Sequence, residues 1–185
     1  MTQLQDIERA VNELLAELVN PKWDAAVPAV GEMEKDSPLI ACAGLDPAAV
    51  PMPLLHACRR RWTIPRGWRN GYCPVCGAWP GFAEVCGVER SRYLRCLRCG
   101  AAWQAHGLAC VYCGVREHAK LGRLVPEEGP PKWAIETCQG CRGYLKVFTV
   151  LRPSPAEGVL ARDLETVELD LVAQERGYRR PNVPA

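Results

Sequence analysis

The sequence CPVCGAWP at residues 73–80 opens a run of four Cys-x-x-Cys pairs that decides the fold of this chain. The other three pairs read CLRC at 96–99, CVYC at 110–113 and CQGC at 138–141. The tight turn within such a pair points both sulfurs toward one metal ion. The chain has 11 cysteines, so only three lie outside the pairs. Four pairs together indicate metal binding much more strongly than one pair does.

The eight paired thiolates predict two sites, because a closed tetrahedral sulfur site takes four ligands. An interleaved grouping of the pairs requires crossed connections, which are uncommon. We therefore expect consecutive pairs to combine, although spacing alone leaves both groupings open. Tetrahedral sites of four sulfurs suit zinc and iron equally, so the identity of the two metal ions stays open. The expected first site is Cys73, Cys76, Cys96 and Cys99, and the second is Cys110, Cys113, Cys138 and Cys141.

Disulfide bonds and redox-active dithiols are the other common uses of paired cysteines. A disulfide within a Cys-x-x-Cys pair is strained, and structural disulfides need an oxidising compartment. A catalytic dithiol of the thioredoxin type sits in a βαβ pattern, and none surrounds these pairs. The sequence therefore favours metal sites over both alternatives.

The residues before the first pair predict a helical and proline-rich region. Apolar residues recur at helical spacing from Leu4 to Leu18, and Asn20 and Pro21 end this helix. Residues 21–53 predict a loop-rich connector with short helices, and a second helix is expected at 53–62. His56 and Cys58 on that helix are interpreted as buried residues, because no further ligands accompany them. Cys42 and Cys86 are likewise interpreted as small apolar residues, Cys42 being the more exposed.

The metal region predicts strands, and the residues after it predict a helix. The strands are expected at 82–88 and 92–97, which form a hairpin, and at 101–103, 133–136 and 144–151. Residues 124–132 predict a surface loop, and 179–185 an irregular tail. One continuous helix is expected before Gly177, which provides its C-terminal cap. Its apolar stripe consists of Leu160, Leu164, Val167, Leu171 and Val172.

These elements predict an α+β chain with a helical N-terminal region, two rubredoxin-like or zinc-ribbon metal domains and a C-terminal helix. The expected boundaries are 1–65 for the helical and proline-rich region, 66–104 and 105–152 for the two metal domains, and 153–185 for the C-terminal helix and tail. The metal region contains few large aliphatic side chains. Its folding is therefore expected to depend on bound metal.

Charge is unevenly distributed, although the formal net charge is only +2. Residues 59–100 contain 9 arginines against 2 glutamates, and Arg92, Arg95 and Arg98 lie beside the second pair. A divalent metal with four thiolates has a charge of about −2, which these arginines would offset. Nucleic acid is therefore not favoured as a partner.

The amino terminus, MTQLQDIERAVNELL, contains acidic residues and no long apolar run. It resembles neither a secretory signal nor a membrane-spanning helix, and no later segment predicts membrane insertion. Because metal-bound thiols must stay reduced, we expect a cytoplasmic protein.

The sequence predicts a protein without catalytic activity. His56, His106 and His118 form no recognisable constellation with a serine or an aspartate. The paired thiolates are committed to metal, and a closed site of four sulfurs has no open position for water or substrate. No catalytic residue is therefore assigned.

The ordered motifs resemble the formate dehydrogenase accessory, or formation, protein family (FdhE family). The resemblance covers roughly residues 62–183. It implies a helical region followed by two rubredoxin-like domains, with the eight paired cysteines as metal ligands. It rests on CPVCGAWP at 73–80, RYLRCLRCGAAW at 92–103, CVYCG at 110–114, CQGCRGYLKVF at 138–148 and ARDLETVELDLVAQERGYRR at 161–180.

The resemblance also implies a function. It suggests a cytoplasmic maturation factor that binds the catalytic subunit of a molybdenum-containing formate dehydrogenase, or a related molybdoenzyme, before export. Two features depart from the family pattern. Only 72 residues precede Cys73, and Arg162–Asp163 stands where the family tends to place two acids. Two alternatives are a zinc-ribbon adaptor for protein or nucleic-acid partners and a rubredoxin-like electron carrier.

Overall fold

The computed structural model describes residues 3–104, 108–126 and 132–181. His106, residues 127–131 of the expected surface loop and residues 182–185 of the expected tail lie outside the described residues. The chain folds as an N-terminal helical region, a six-stranded sheet and two C-terminal helices. This arrangement confirms the α+β class and its order of helical region, cysteine-containing region and C-terminal helical segment.

The N-terminal region contains helix α1 (Gln3–Val19), a 3-10 helix (Pro21–Ala26) and the short helix α2 (Leu39–Cys42). Helix α3 (Met52–Arg61) follows, close to the expected 53–62. Arg60 joins these elements, because its guanidinium donates to the Leu18 carbonyl and to the Asp24 carboxylate. None of the described helices is both long and apolar enough to span a membrane.

One continuous sheet contains all six strands of the described residues. They are β1 (Phe82–Cys86), β2 (Ser91–Arg95), β3 (Ala102–Gln104), β4 (Leu121–Leu124), β5 (Trp133–Cys138) and β6 (Tyr144–Val150), in the order β3-β2-β1-β6-β5-β4. Neighbours pair antiparallel except β1 and β6, which run parallel with Phe82 opposite Lys146. This parallel pair joins the strands of the two expected metal domains into one sheet. The expected boundary between those domains, after residue 104, stays a prediction.

The two faces of the sheet have different coverings, because successive side chains alternate between faces. Ala83, Leu94, Leu145 and Val147 lie on one face and join the apolar cluster of the N-terminal region, which includes Leu55. The opposite face packs against the C-terminal helices. Its cluster contains Phe82, Ile135, Tyr144, Phe148, Val159, Leu169 and Ala173.

The C-terminal segment forms two helices, α4 (Val159–Leu164) and α5 (Val167–Glu175), instead of the single helix expected. The prediction that one apolar stripe runs along this segment is wrong. Leu164, Val167 and Leu171 are each more than half exposed. Lys146 binds at the junction of the two helices, where its ammonium donates to the carbonyls of Asp163 and Thr166. The expected cap is present, with Gly177 at a φ of +77°.

A buried charged cluster lies between β6 and the C-terminal helices. The Lys146 ammonium is 2.7 Å from a carboxylate oxygen of Asp163 and 3.0 Å from one of Asp170. Arg180 binds both carboxylates at 2.6 Å, and the Tyr144 hydroxyl donates to Asp170 at 2.7 Å. Two cations and two anions therefore balance in this cluster, which has no signature in the sequence because its members are far apart along the chain.

Candidate metal centres

The four Cys-x-x-Cys pairs form four turns of one type. In each turn the first cysteine donates its N–H to the carbonyl five residues later, as Cys73 does to Ala78 at 2.8 Å and Cys138 does to Gly143 at 2.9 Å. The residue after the second cysteine adopts a positive φ, between 58° and 75°, at Gly77, Gly100, Gly114 and Arg142. The sequence therefore places glycine at three of the four positions where an L side chain is disfavoured.

Arg142 takes the left-handed conformation in the fourth turn without being glycine. Its guanidinium donates to the carbonyls of Arg176 and Gly177 and lies 4.5 Å from the centre of the Tyr178 ring. These contacts tie the turn to the end of α5. We infer that they offset the backbone cost of a non-glycine residue at this position, which is roughly 1–2 kcal/mol.

Site 1 consists of Cys73, Cys76, Cys96 and Cys99, all of them buried. The Sγ atoms of Cys73 and Cys99 are 3.5 Å apart, and those of Cys76 and Cys96 are 3.4 Å apart. The Val75 N–H points at the Cys73 sulfur from 3.4 Å. The first two pairs therefore converge on one enclosed point.

Site 2 consists of Cys110, Cys113, Cys138 and Cys141. Its Sγ atoms are 3.7 Å apart between Cys110 and Cys141 and 3.7 Å apart between Cys113 and Cys138. Cys113 is exposed and Cys110 and Cys141 are half-buried, so this site is open to solvent. The cysteines of consecutive pairs thus lie together, as expected, and their role as metal ligands stays a prediction.

Both sites fit a tetrahedral metal ion. A metal with bonds of about 2.3 Å to four sulfurs holds those sulfurs about 3.8 Å apart, near the distances seen here. Burial raises the pKa of the Cys73 and Cys99 thiols. The sulfurs of Cys73 and Cys99 would therefore be costly as bare thiolates, and a bound cation would remove that cost. Among the described residues these are the two groups of His, Cys, Asp and Glu side chains placed to hold an ion.

The arginines beside the second pair serve the fold. Arg92 donates two hydrogen bonds to the Glu136 carboxylate, at 2.6 and 2.7 Å. Arg95 forms a buried ion pair with Glu84, and Glu84 also accepts from Ser154. Arg98 donates to the Pro47 carbonyl. All three guanidiniums therefore have protein partners, which the sequence could not show because those partners are remote along the chain.

The remaining candidate side chains lie outside the two sites. His56 is buried on α3 as expected, and burial together with Arg59 and Arg60 lowers its pKa to about 4. Cys58 is buried too, which raises the pKa of its thiol to about 11. Cys86 is buried and Cys42 is half-buried, in the expected order of exposure. His118 is exposed.

The sequence is similar to proteins of one family. Residues 108–184 match the family described as FdhE, C-terminal domain. The chain is 34% identical over 117 residues to a protein FdhE homolog of Aquifex aeolicus, which covers 60% of this chain and 40% of that protein. It is 38% identical over 120 residues to a protein FdhE homolog of Stutzerimonas stutzeri, and this match covers 60% of this chain and 37% of that protein. It is 30% identical over 119 residues to protein FdhE of Escherichia coli O127:H6, and this match covers 63% of this chain and 38% of that protein.

The fold is similar to a solved structure as well. The crystal structure of the FdhE protein from Pseudomonas aeruginosa superimposes with a TM-score of 0.59 and 28% sequence identity. The match covers 79% of this chain and 50% of that one. The chain thus spans about two fifths of the curated relatives it matches and half of the solved protein.

Proposed function

We propose that this chain, which is similar to FdhE proteins, is an accessory factor for the formation of a formate dehydrogenase and that it holds two metal ions. The observation that carries the proposal is the pair of four-sulfur sites in a chain similar to FdhE proteins over its cysteine-containing region. A closed site of four sulfurs shapes a surface and leaves no coordination position for a substrate. The proposed role is therefore binding and not catalysis.

The proposed client is the catalytic subunit of a molybdenum-containing formate dehydrogenase or a related molybdoenzyme. The proposed place of contact is the cytoplasm, before export of the client. Metal-bound turns support a docking role because they are rigid before the partner arrives. A preformed surface loses little conformational entropy on binding.

Metal analysis tests the sites. Protein purified reduced and without oxygen should contain about two equivalents of zinc or iron, as two closed four-ligand sites require. Replacing Cys73 and Cys76 together with serine should empty site 1 and leave about one equivalent at site 2. The matched control replaces Cys58 and Cys86, which lie outside both sites, with serine. This variant should keep both metals. About one equivalent or less in the unaltered protein would refute the two-metal proposal.

A deletion in the native host tests the role. Loss of this chain should lower formate oxidation in membranes while the transcript of the client stays unchanged. The unaltered chain should restore the activity, and the Cys96→Ser and Cys99→Ser pair should not. Capture of the affinity-tagged chain from anaerobic cells should retain the client subunit. Normal formate oxidation in the deletion strain, with no second copy of the gene, would overturn the role.

The exposure of site 2 supports electron transfer as a second candidate function. Cys113 is exposed, and a rubredoxin-like carrier needs an iron site close to the surface. Such a site would contain iron and be reduced and reoxidised reversibly, with loss and return of the thiolate-to-iron absorption. Zinc at site 2 would exclude electron transfer, since zinc has no redox chemistry.

A further inference from the structure

A cleft lined by exposed arginines lies beside site 2. Its volume is about 560 Å³, within the range of ligand-binding pockets. Strands β2, β4, β5 and β6 and the turn of the third cysteine pair surround it. We call it the arginine cleft; Arg69, Arg116 and Arg123 line it, together with Leu94, Leu121 and Trp79.

The positive charge of the cleft is not neutralised by the described residues. Glu136 is the carboxylate in its lining, and Arg92 already binds both of its oxygens. Within residues 3–104, 108–126 and 132–181, no carboxylate lies within ion-pair distance of Arg69, Arg116 or Arg123. All three arginines are exposed. Three exposed arginines therefore line one cleft without a carboxylate partner among the described residues.

Thiolate charge at site 2 explains only part of this arrangement. A divalent ion with four thiolates carries about −2, which is less than the charge of three arginines. The arginines also come from three separate segments: Arg69 precedes the first pair, Arg116 follows the third, and Arg123 lies on β4. Convergence of separate segments on one cavity is typical of a binding site.

The lining between the arginines indicates what kind of anion fits. Leu108 and Leu121 offer accessible apolar side chains in the cleft, and Trp79 and Tyr72 form part of its wall. Nucleic acid usually binds along a continuous basic groove with free aromatic faces for stacking. Here the Trp79 ring makes edge contacts with Tyr72 and Tyr112, at 6.0 and 5.5 Å between centroids. Carboxylates next to apolar side chains match the lining better.

We propose that the arginine cleft binds an extended acidic segment of a partner protein, in which Asp or Glu side chains alternate with apolar ones. The carboxylates pair with Arg69, Arg116 and Arg123, and the apolar side chains contact Leu108 and Leu121. This inference rests on the proposed function only for the partner's identity, which would then be the client enzyme.

A labelled peptide tests the cleft directly. The probe is a fluorescein-labelled peptide of alternating glutamate and leucine, and its anisotropy is followed during titration with the metal-loaded full chain. Replacement of Arg69, Arg116 and Arg123 together by glutamate should weaken binding at least about tenfold, since like charges then face each other. Arg123→Glu alone should weaken it at least about threefold. This single variant replaces the triple variant as the test if the triple variant loses its metal or its circular dichroism signal.

The controls separate the cleft from general charge. Arg66 is exposed, lies three residues from Arg69 and is outside the cleft, so Arg66→Glu should leave the affinity unchanged. A peptide with glutamine in place of glutamate should bind at least about tenfold more weakly, because charge complementarity is lost. Equal binding of the two peptides would overturn the inference, and so would equal weakening by Arg66→Glu. Stronger binding of a single-stranded oligonucleotide of the same charge would assign the cleft to nucleic acid instead.

Complementation distinguishes failure of this inference from failure of the proposed function. If deletion of the chain leaves formate oxidation unchanged, the proposed function fails whatever the peptide does. If the unaltered chain and the triple arginine variant restore activity equally, the function holds and the cleft is not its docking site. Restoration by the unaltered chain and by Arg66→Glu, but not by the triple variant, supports both.

Discussion

Lys146 places a charge where its side chain has no exposure to solvent. The three N–H groups of its ammonium are shared among two carboxylates, two carbonyls and the Thr166 hydroxyl, so protein partners replace the water that it loses on burial. Arg180 completes the balance by binding the same two carboxylates. The C-terminal helices are therefore attached to the sheet by ionic contacts as well as by apolar packing.

Replacement of Lys146 by methionine should be strongly destabilising. The change leaves Asp163 and Asp170 with one cation between them, and breaking a buried pair costs about 3–5 kcal/mol. Chemical denaturation of the reduced, metal-loaded protein measures the free energy of unfolding. Lys132→Met is the matched control, because the Lys132 side chain is exposed and should contribute less than about 0.5 kcal/mol. A loss below about 1 kcal/mol for Lys146→Met would contradict the structural role.

The same cluster predicts a dependence of stability on pH. Burial raises the pKa of Asp170, but hydrogen bonds from Tyr144 and Arg180 outweigh it and leave the pKa below its ordinary value. A carboxyl with a lowered folded-state pKa stabilises the protein above its unfolded pKa of about 3.9 and loses that contribution as pH falls through the folded value.

The destabilisation by Asp170→Asn should therefore be largest near neutral pH and shrink below about pH 4. Comparing the two proteins at each pH removes the effect of metal loss in acid, which both share. Asp46→Asn, at an exposed residue, is the control and should show no such trend. If the difference in unfolding free energy grows as the pH falls, the pKa of Asp170 is not lowered in the folded protein.

At the scale of elements, the four cysteine turns share one backbone but pack differently. Gly100 and Gly114 occupy equivalent positions, with φ of +70° and +73°. A Cβ at Gly100 would lie 2.4 Å from the Ala156 carbonyl oxygen, whereas a Cβ at Gly114 would meet nothing within 4 Å. The first metal centre is thus pressed against the segment that leads into α4.

This pair of glycines allows backbone strain and packing to be separated. Gly114→Ala should cost roughly 1–2 kcal/mol, the price of a left-handed alanine. Gly100→Ala should cost at least about 2 kcal/mol more, because the backbone at Ala156 has to move. Thermal unfolding of both variants with their metals bound makes the comparison. Equal losses of stability in the two variants would show that the backbone at Ala156 moves without an energetic cost.

Local patterns explain which elements could be predicted from the sequence. The Cys-x-x-Cys spacing specifies each turn, and β-branched and aromatic residues mark β1, β5 and β6, so both were predictable. The break between α4 and α5 was not, since the apolar spacing continues across it and the Lys146 contact at this junction comes from a distant strand. The partners of Arg92, Arg95 and Arg98 were hidden for the same reason. Helical periodicity likewise predicted the exposed Leu171 as part of a buried stripe, since spacing does not report which face a partner covers.

At the scale of the molecule, the two metal centres differ in enclosure. Site 1 lies in the larger apolar cluster, where helix α2 covers it through backbone hydrogen bonds from Leu39 to Pro74 and from Ile40 to Val75, at 2.8 and 2.9 Å. Site 2 has one exposed and two half-buried cysteines. A chelator therefore reaches site 2 in the folded protein, whereas site 1 requires the N-terminal region to open.

Metal release should accordingly occur in two phases. A coloured chelator under reducing conditions should take about one equivalent quickly and the second slowly, since each site holds one ion. Replacing Cys113 with serine should abolish the fast phase and preserve the slow one. Leu39→Ala, which opens the cover of site 1, should accelerate only the slow phase. One release phase for both metals in the unaltered protein would show that the sites open together.

The parallel pairing of β1 with β6 has a consequence for biosynthesis. Once residue 104 has left the ribosome, β1–β3 and all four cysteines of site 1 are available to fold and take up metal. The second partner of β1 begins only at Tyr144, so one edge of β1 stays unpaired while the intervening residues are translated. An open strand edge is a template for pairing with other chains. Nascent chains that stall between these points therefore present an unpaired strand edge to other chains, even with their first metal in place.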